Sequence, residues 1–442
     1  MSETKTTLKK ALSATHLWAI AVGLVISGMY FGWSYGWAVG GTMGLLIATI
    51  IVTILYFTFV FSFTELTTSI PNAGGPFAYA YKAMGPLGGF IAGFVTLAEF
   101  LLAAPAIAFA LGAYLHFLYP AFDVIYTAIG CYVLFTVINL FGIKESAVFT
   151  LIVTLLAILG LLLYMGAVAP HFKMDNFLHN DLPFGWKGIF AALPFAIWFY
   201  LAIEGVAMVA EEVKDPQRTI PKGYIYGIVT LIFLTLGVMI LTGGITDWQR
   251  LSAIDFPLPE GVRIIFGGKT DNVFTRIFTA IGLFGLIASF HSIIIGYSRQ
   301  LFALSRSGYL PIVLSKVHSK TKTPNRALLV GGVIGILAIL SGTTDKLIIL
   351  SALGAVVMYI ISMICLFLLR KNEPQMERPF KAPFYPVFPF VALFLSAICL
   401  VAIVYYNPWL SLLFFGIMII GAILFKLFYK GRIEEAIATN PS

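Results

Sequence analysis

Apolar runs of 18 to 25 residues recur along the whole 442-residue chain, and nothing in it constrains the fold more. At 1.5 Å per residue, each run can cross roughly 30 Å of hydrocarbon as a helix. Within a bilayer every backbone N–H and C=O must find its partner in the chain, which leaves only helices and closed barrels. A barrel would show short alternating segments, and none are present. The sequence therefore predicts an all-α polytopic membrane protein. A chain of this length has room for two or three soluble domains, but 60% hydrophobic and 11% charged residues argue against them.

Twelve spans are expected: 17–40, 42–66, 86–116, 123–142, 147–168, 189–212, 223–245, 273–303, 327–341, 346–369, 386–405 and 408–429. Residues 1–16 and 430–442 form polar tails, and the first apolar run is too long for the core of a cleaved signal. With the N-terminus inside, 21 of the 28 lysines and arginines fall on inner segments and seven on outer ones. By the positive-inside bias both termini are expected to be cytoplasmic. The net charge of +8 is then a property of loops, and no nucleic-acid partner is expected. Cys131, Cys365 and Cys399 lie inside apolar runs without metal spacing and read as small core residues. The longer loops, 169–187 and 246–272 outside and 305–326 inside, are expected to form small caps and a basic connection.

Two spans carry interruptions. The first contains a glycine- and aromatic-rich stretch from Ile26 to Gly36. The sixth (residues 193–208) holds Pro194, the aromatics Trp198, Phe199 and Tyr200, and Glu204 beside Gly205. A carboxylate at membrane depth is costly unless it meets a partner or a wet cavity, so Glu204 marks a functional site by default. Gly205 beside it makes unwinding there cheap. Two broken helices, each leading five spans, fit an inverted repeat whose breaks meet near the midplane. The expected organisation is 17–168 for one repeat, 189–369 for the other, and 386–429 for two added helices.

Several motifs carry a family resemblance. Glu65-Leu66, Pro71 and Ala73-Gly74-Gly75 resemble the E-L-x(4)-P-x-(A/S)-G-G signature of the amino acid–polyamine–organocation transporter superfamily. The segments 210–221, 298–311 with 322–327, and 378–383 resemble its loops after spans six, eight and ten, in superfamily order. Within it, residues 25–33, 98–108, 202–205 and 289–294 are most similar to the ethanolamine permease family. The resemblance implies a leucine-transporter-type fold, in a bacterial cytoplasmic membrane, working by alternating access without a cofactor.

It also implies a substrate site. Members of the superfamily bind a substrate carboxylate on the backbone of a Gly-Ser/Thr-Gly break; here the triplet is Ile26-Ser27-Gly28. Isoleucine stiffens that turn, which weakens an amino-acid reading, whereas an amine without a carboxylate needs no such cradle. The expected substrate-binding set is Ser27, Gly28, Met29, Tyr30, Phe31, Glu99, Ala103, Trp198, Phe199, Ile203, Glu204 and His291. The expected gate is Trp33, Trp198 and Tyr200. A protonated amine would be held by Glu204 and aromatic faces, in a cavity reaching that carboxylate. Glu99, Glu204 and His291 are the candidates for proton coupling. Some proton-coupled members carry a lysine in span five; that position here is Ala157, and a sodium site would draw on Ser289 and Ser292. Glu211, Glu212, Asp215, Lys214, Arg218 and Glu65 read as an inner charge network.

No phosphate-binding glycine loop, Cys/His metal cluster or nucleophile–base pair supports an enzyme. The expectation is a secondary carrier importing a small protonated amine, most readily ethanolamine. The alternative is an amino-acid permease or exchanger. A coupling proton or sodium ion and the bilayer are the other partners; the sequence leaves the oligomeric state open.

Overall fold

The structure is a computed structural model describing residues 12–141, 147–268, 272–318, 321 and 323–428. Lys5, Lys9, Lys10, Lys144, Lys269, Lys320, Lys322, Lys430 and Arg432, all part of the charge-bias argument, lie outside the described residues.

The α-helices in order are α1 (Ala14–Val25), α2 (Ser27–Tyr30), α3 (Tyr35–Ser69), α4 (Pro76–Leu118), α5 (Val124–Leu140), α6 (Ala147–Val168), α7 (Met174–Phe177) and α8 (Gly185–Trp198). They continue as α9 (Pro216–Gly243), α10 (Pro257–Ile265), α11 (Val273–Arg306), α12 (Asn325–Ser341), α13 (Thr344–Asn372), α14 (Val387–Tyr406) and α15 (Pro408–Phe428). Among the described residues, nine helical stretches are long and apolar enough to cross a membrane, and Ala14–Tyr30, Val124–Leu140 and Asn325–Ser341 are shorter apolar helices. Together they account for the twelve expected spans. The chain is an all-α polytopic membrane protein.

Two of the long helices are really pairs. Gly41, at φ +70°, interrupts α3, and a Cβ there would lie 2.4 Å from the Asp181 carbonyl oxygen. Only glycine fits that turn. It separates a short segment, 35–40, that completes the first span from the second span proper. Gly85, at φ +75° and followed by Pro86, divides α4 in the same way. Hydropathy had placed both boundaries correctly.

The first break falls within the expected stretch Ile26–Gly36, and the second lies a few residues before the expected Gly205. In the sixth span α8 ends at Trp198, the chain turns through residues 199–202, and Ala202 takes a left-handed conformation at φ +76°. A 3-10 helix, Ile203–Glu212, follows. Gly205, expected to mark the unwinding, sits inside that helix. A Cβ on it would meet Leu24 Cδ1 at 2.9 Å and Phe100 Cζ at 3.2 Å, so its smallness serves close packing. In the first span Ser27–Tyr30 keeps a helical turn, and the real interruption is 31–34, with Phe31 extended and Gly32 at φ +89°.

The core forms where α4 lies along α13 and α11, α3 along α8, and α1 along α9. Lipid tails are as apolar as leucine, so these contacts depend on close packing more than on escape from water. Gly354 of α13 shows the closeness: a Cβ there would stand 2.6 Å from the Val95 carbonyl oxygen of α4. Helices α14 and α15 lie at the periphery, with Val401 69% and Trp409 81% exposed. The loop 169–187 contains α7, and the loop 246–272 contains α10, as small caps at one end.

At the opposite end, here termed inner, Glu65 is 1% exposed and accepts from Arg370 Nε and Nη2 at 2.8 and 2.6 Å and from the Ala382 amide at 2.7 Å. Arg378 Nε stands 3.3 Å from the same carboxylate. Glu65 thus pairs with Arg370 and Arg378, which the expected network did not include, and among the described residues no ion pair joins Lys214, Asp215 or Arg218 to it. From the 211–218 loop, Glu212 reaches Arg299 at 3.4 Å and Glu211 accepts from the Ala73 amide at 2.9 Å.

Candidate functional site

The two breaks face each other in the middle of the molecule. A Cβ on Gly28 would stand 2.5 Å from the Trp198 carbonyl oxygen and 3.2 Å from Phe199 Cα, so backbone meets backbone there. The Trp198 indole N–H donates to the Phe31 carbonyl at 3.1 Å, and its ring meets Phe31 edge-on at 5.4 Å. Trp33 stacks on Phe199 at 5.7 Å and donates to the Met29 carbonyl at 3.0 Å.

Beside this junction lies a cavity of about 10 Å³, room for about one water molecule. Leu24, Val25 and Ser27 line it from the first span, Ala103 and Ile107 from α4, Trp198, Leu201 and Ala202 from the second break, and Ile293 from α11. Of the expected substrate-binding residues, the cavity brings together Ser27, Ala103 and Trp198. Leu24, Val25, Ile107, Leu201, Ala202 and Ile293 escaped the sequence reading because nothing distinguishes an apolar residue lining a cavity from one that simply packs. Gly28, Phe31 and Phe199 build the wall behind it. Met29 and Tyr30 are fully buried, and Tyr30 is held by its hydroxyl on the Ala157 carbonyl at 2.7 Å. Tyr200, expected at the gate, turns instead to Thr53, at 2.7 Å between hydroxyl oxygens.

Around the Ile26-Ser27-Gly28 triplet, just before the first break, several backbone groups already have hydrogen-bond partners. Ser289 of α11 inserts its hydroxyl where a helical bond would run: it donates to the Gly23 carbonyl at 2.7 Å and accepts from the Ser27 amide at 3.2 Å. The Met29 amide donates to the Ile26 carbonyl at 3.1 Å, and the Phe31 amide to the Ser27 carbonyl at 3.2 Å. The backbone that would cradle a carboxylate already has these partners.

Glu99 and Glu204 are both fully buried, and neither lines the cavity. The expectation of a cavity reaching Glu204 is not met in this conformation: Ala202 lines the cavity and the carboxylate lies beyond it, as do Ile203 and Glu99. Glu99 and Glu204 neighbour each other, and Glu99 Oε1 and Oε2 and Glu204 Oε1 have no hydrogen-bond partner among the described residues. Among the described residues neither takes part in an ion pair. Tyr359 points its hydroxyl at Glu204 Oε2, 3.5 Å away, and shares a 2.7 Å hydrogen bond with Tyr56. His291 is elsewhere: it lies beside α5, with Asn139 Nδ2 3.2 Å from its Nδ1, while Ile293 of the same helix faces the cavity.

This arrangement, two broken helices meeting over a small cavity deep in a helical bundle, can enclose a small solute and release it by moving the break segments. It offers no reacting pair. Comparison with known proteins agrees. Residues 12–425 match the amino acid permease family. The chain is 28% identical to an uncharacterized transporter of Rhizobium meliloti (strain 1021), over 88% of its own length and 86% of that protein's. It is 27% identical to the branched-chain amino acid permease of Bacillus subtilis (strain 168), covering 83% and 81% of the two chains. To the methylthioribose transporter of Bacillus subtilis (strain 168) it is again 27% identical over 83% and 81%. The chain therefore belongs to the amino acid permease family of the amino acid–polyamine–organocation superfamily, and it is a membrane transporter, not an enzyme.

Proposed function

We propose that this transporter is a secondary carrier importing a small protonated amine, with ethanolamine the leading candidate. The observation that carries the reading is the hydrogen bonding already made by the amides around the Ile26-Ser27-Gly28 triplet. With the Ser27, Met29 and Phe31 amides satisfied inside the protein, a substrate carboxylate gains little there, and an amine loses nothing. Two buried carboxyl groups behind the second break supply the negative charge an ammonium group would seek. In the closed conformation Ala202 stands between the cavity and Glu204, so the reading requires segment 202–212 to move as the carrier opens.

The alternative is an amino-acid permease or exchanger, favoured by the branched-chain amino acid permease among the relatives. The methylthioribose transporter beside it indicates that substrates vary within the family. For coupling, the two neighbouring buried carboxyl groups of Glu99 and Glu204, neither in an ion pair among the described residues, support a proton over a sodium ion. Ser289 already occupies the Gly23 carbonyl with its own hydroxyl. We read residues 17–168 and 189–369 as inverted repeats in a bacterial cytoplasmic membrane, with both termini inside; the meeting of the two breaks supports this.

Uptake by liposomes reconstituted with the pure protein tests the substrate. Labelled ethanolamine should accumulate, and unlabelled ethanolamine should compete with it better than alanine or leucine. Accumulation of leucine or alanine with no uptake of ethanolamine would replace this reading with the alternative.

A further inference from the structure

The outer loop between α9 and α11 is tied across the mouth of the molecule. Ser34, completely buried at the end of the first break, donates its hydroxyl to the Ile254 carbonyl at 3.0 Å, and its own carbonyl accepts from the Ala253 amide at 3.4 Å. One residue further, Asp255 receives two hydroxyls from different elements. Tyr35, at the start of α3, donates to Oδ1 at 2.9 Å; Thr344, at the start of α13, donates to Oδ2 at 2.9 Å. One carboxyl group thus joins the loop, the end of the first break and the head of α13.

We propose that Asp255 is the outer latch of the transport cycle, and that its bonds to Tyr35 and Thr344 break each time the outer pathway opens. The segment it holds, Ser34–Tyr35, directly follows the break that must move to admit a solute from that side. This inference rests on the transporter assignment and on the proposed orientation that places the loop 246–272 outside, and not on the identity of the substrate.

The latch is sensitive to outer pH. The titratable groups facing Asp255 are the Tyr35 hydroxyl from α3 and the Asp345 carboxylate from α13; no basic side chain forms an ion pair with it among the described residues. Burial, with a smaller contribution from Asp345, raises its pKa from 3.8 to about 6. Part of its surface stays open, so the outer solution can protonate it. When the latch opens and the carboxyl is hydrated, its pKa returns toward the ordinary value. The closed state therefore binds the proton more tightly. Acid outside holds the latch shut, and this hold is lost as pH rises through about 6.

Labelling of a cysteine under the loop tests this in intact proteoliposomes. In a background with Cys131, Cys365 and Cys399 replaced by alanine, Ser34→Cys reports opening through its reaction with a membrane-impermeant maleimide. Its rate is divided, at each outer pH, by that of the Ser34→Cys/Asp255→Asn protein, which cancels the thiol's own pH dependence. The ratio should climb between pH 4 and pH 7 by at least tenfold, toward the roughly 100-fold ceiling set by a two-unit pKa difference. Tyr35→Phe, which removes one bond and keeps the carboxyl, should speed labelling at every pH and retain the climb. A flat ratio, or Tyr35→Phe labelling no faster than its parent, overturns the proposal.

Discussion

The indole of Trp198, at the end of α8, donates its hydrogen to the carbonyl of Phe31, 167 residues earlier, across 3.1 Å. That one bond joins the two interrupted helices at the point where each leaves regular geometry. It satisfies a carbonyl that Phe31, in extended conformation, cannot offer to a helix. In the proposed transport cycle this bond opens and re-forms, and Trp198 is then one of the residues that set how firmly a solute is enclosed.

Trp198→Phe keeps an aromatic ring and removes the bond. A buried neutral hydrogen bond contributes about 0.5–1.5 kcal/mol net, so apparent substrate affinity should fall about 2- to 12-fold with little change in unfolding temperature. Concentration-dependent uptake, with thermal unfolding in detergent, measures both.

Glu204→Gln removes the charge and keeps the shape. Net amine uptake should be abolished, while the protein still elutes as a folded species in detergent, since no cation loses a partner among the described residues. Normal uptake by this variant would count against a role for the carboxyl pair in either binding or coupling.

Replacing sodium by potassium on both sides of the membrane should leave uptake unchanged within error. The hydroxyl of Ser289 holds the Gly23 carbonyl and the Ser27 amide, leaving that carbonyl bonded before any cation arrives. Collapsing an inward proton gradient should, in contrast, reduce accumulation at least tenfold.

Glu65→Gln breaks a buried ion pair at the inner end. Arg378, whose side chain is 8% exposed, then loses its only carboxylate among the described residues. Breaking one partner of such a pair costs about 3–5 kcal/mol, so thermal unfolding should shift markedly downward. Pairing the change with Arg370→Met should not make matters worse, because Arg370 is 21% exposed and half of the cost is already incurred.

Asp255→Asn should stabilise the protein at neutral pH. A carboxyl whose pKa in the fold is about 6, against 3.8 when free, weakens the fold as pH rises from about 4 to about 6, and no further above that. Because the group is partly open to solvent, the gain at pH 7.5 is put at about 1–2 kcal/mol. At pH 4 it should vanish. Unfolding temperatures of the two proteins across that range give the comparison directly.

The apolar spans and the helical class were legible in the amino-acid order, because run length and hydropathy are properties of short stretches. Gly41 belongs here too, announced by the end of one apolar run and the start of another, and Gly85 falls just before the expected start of the third span. The motifs around Glu65, Pro71 and Gly74 carried the family in the same way. Where the helices unwind was another matter. Gly205 looked like the weak point of the sixth span, yet Leu24 and Phe100 press against it, and the turn falls on Ala202. Ser289 entered the first break from 262 residues away, and Asp255 found Tyr35 and Thr344 on two other elements. A polar residue declares its cost in the chain, but its partner is chosen by helix packing, so only the assembled bundle decided that Glu204 faces Glu99 and not the cavity.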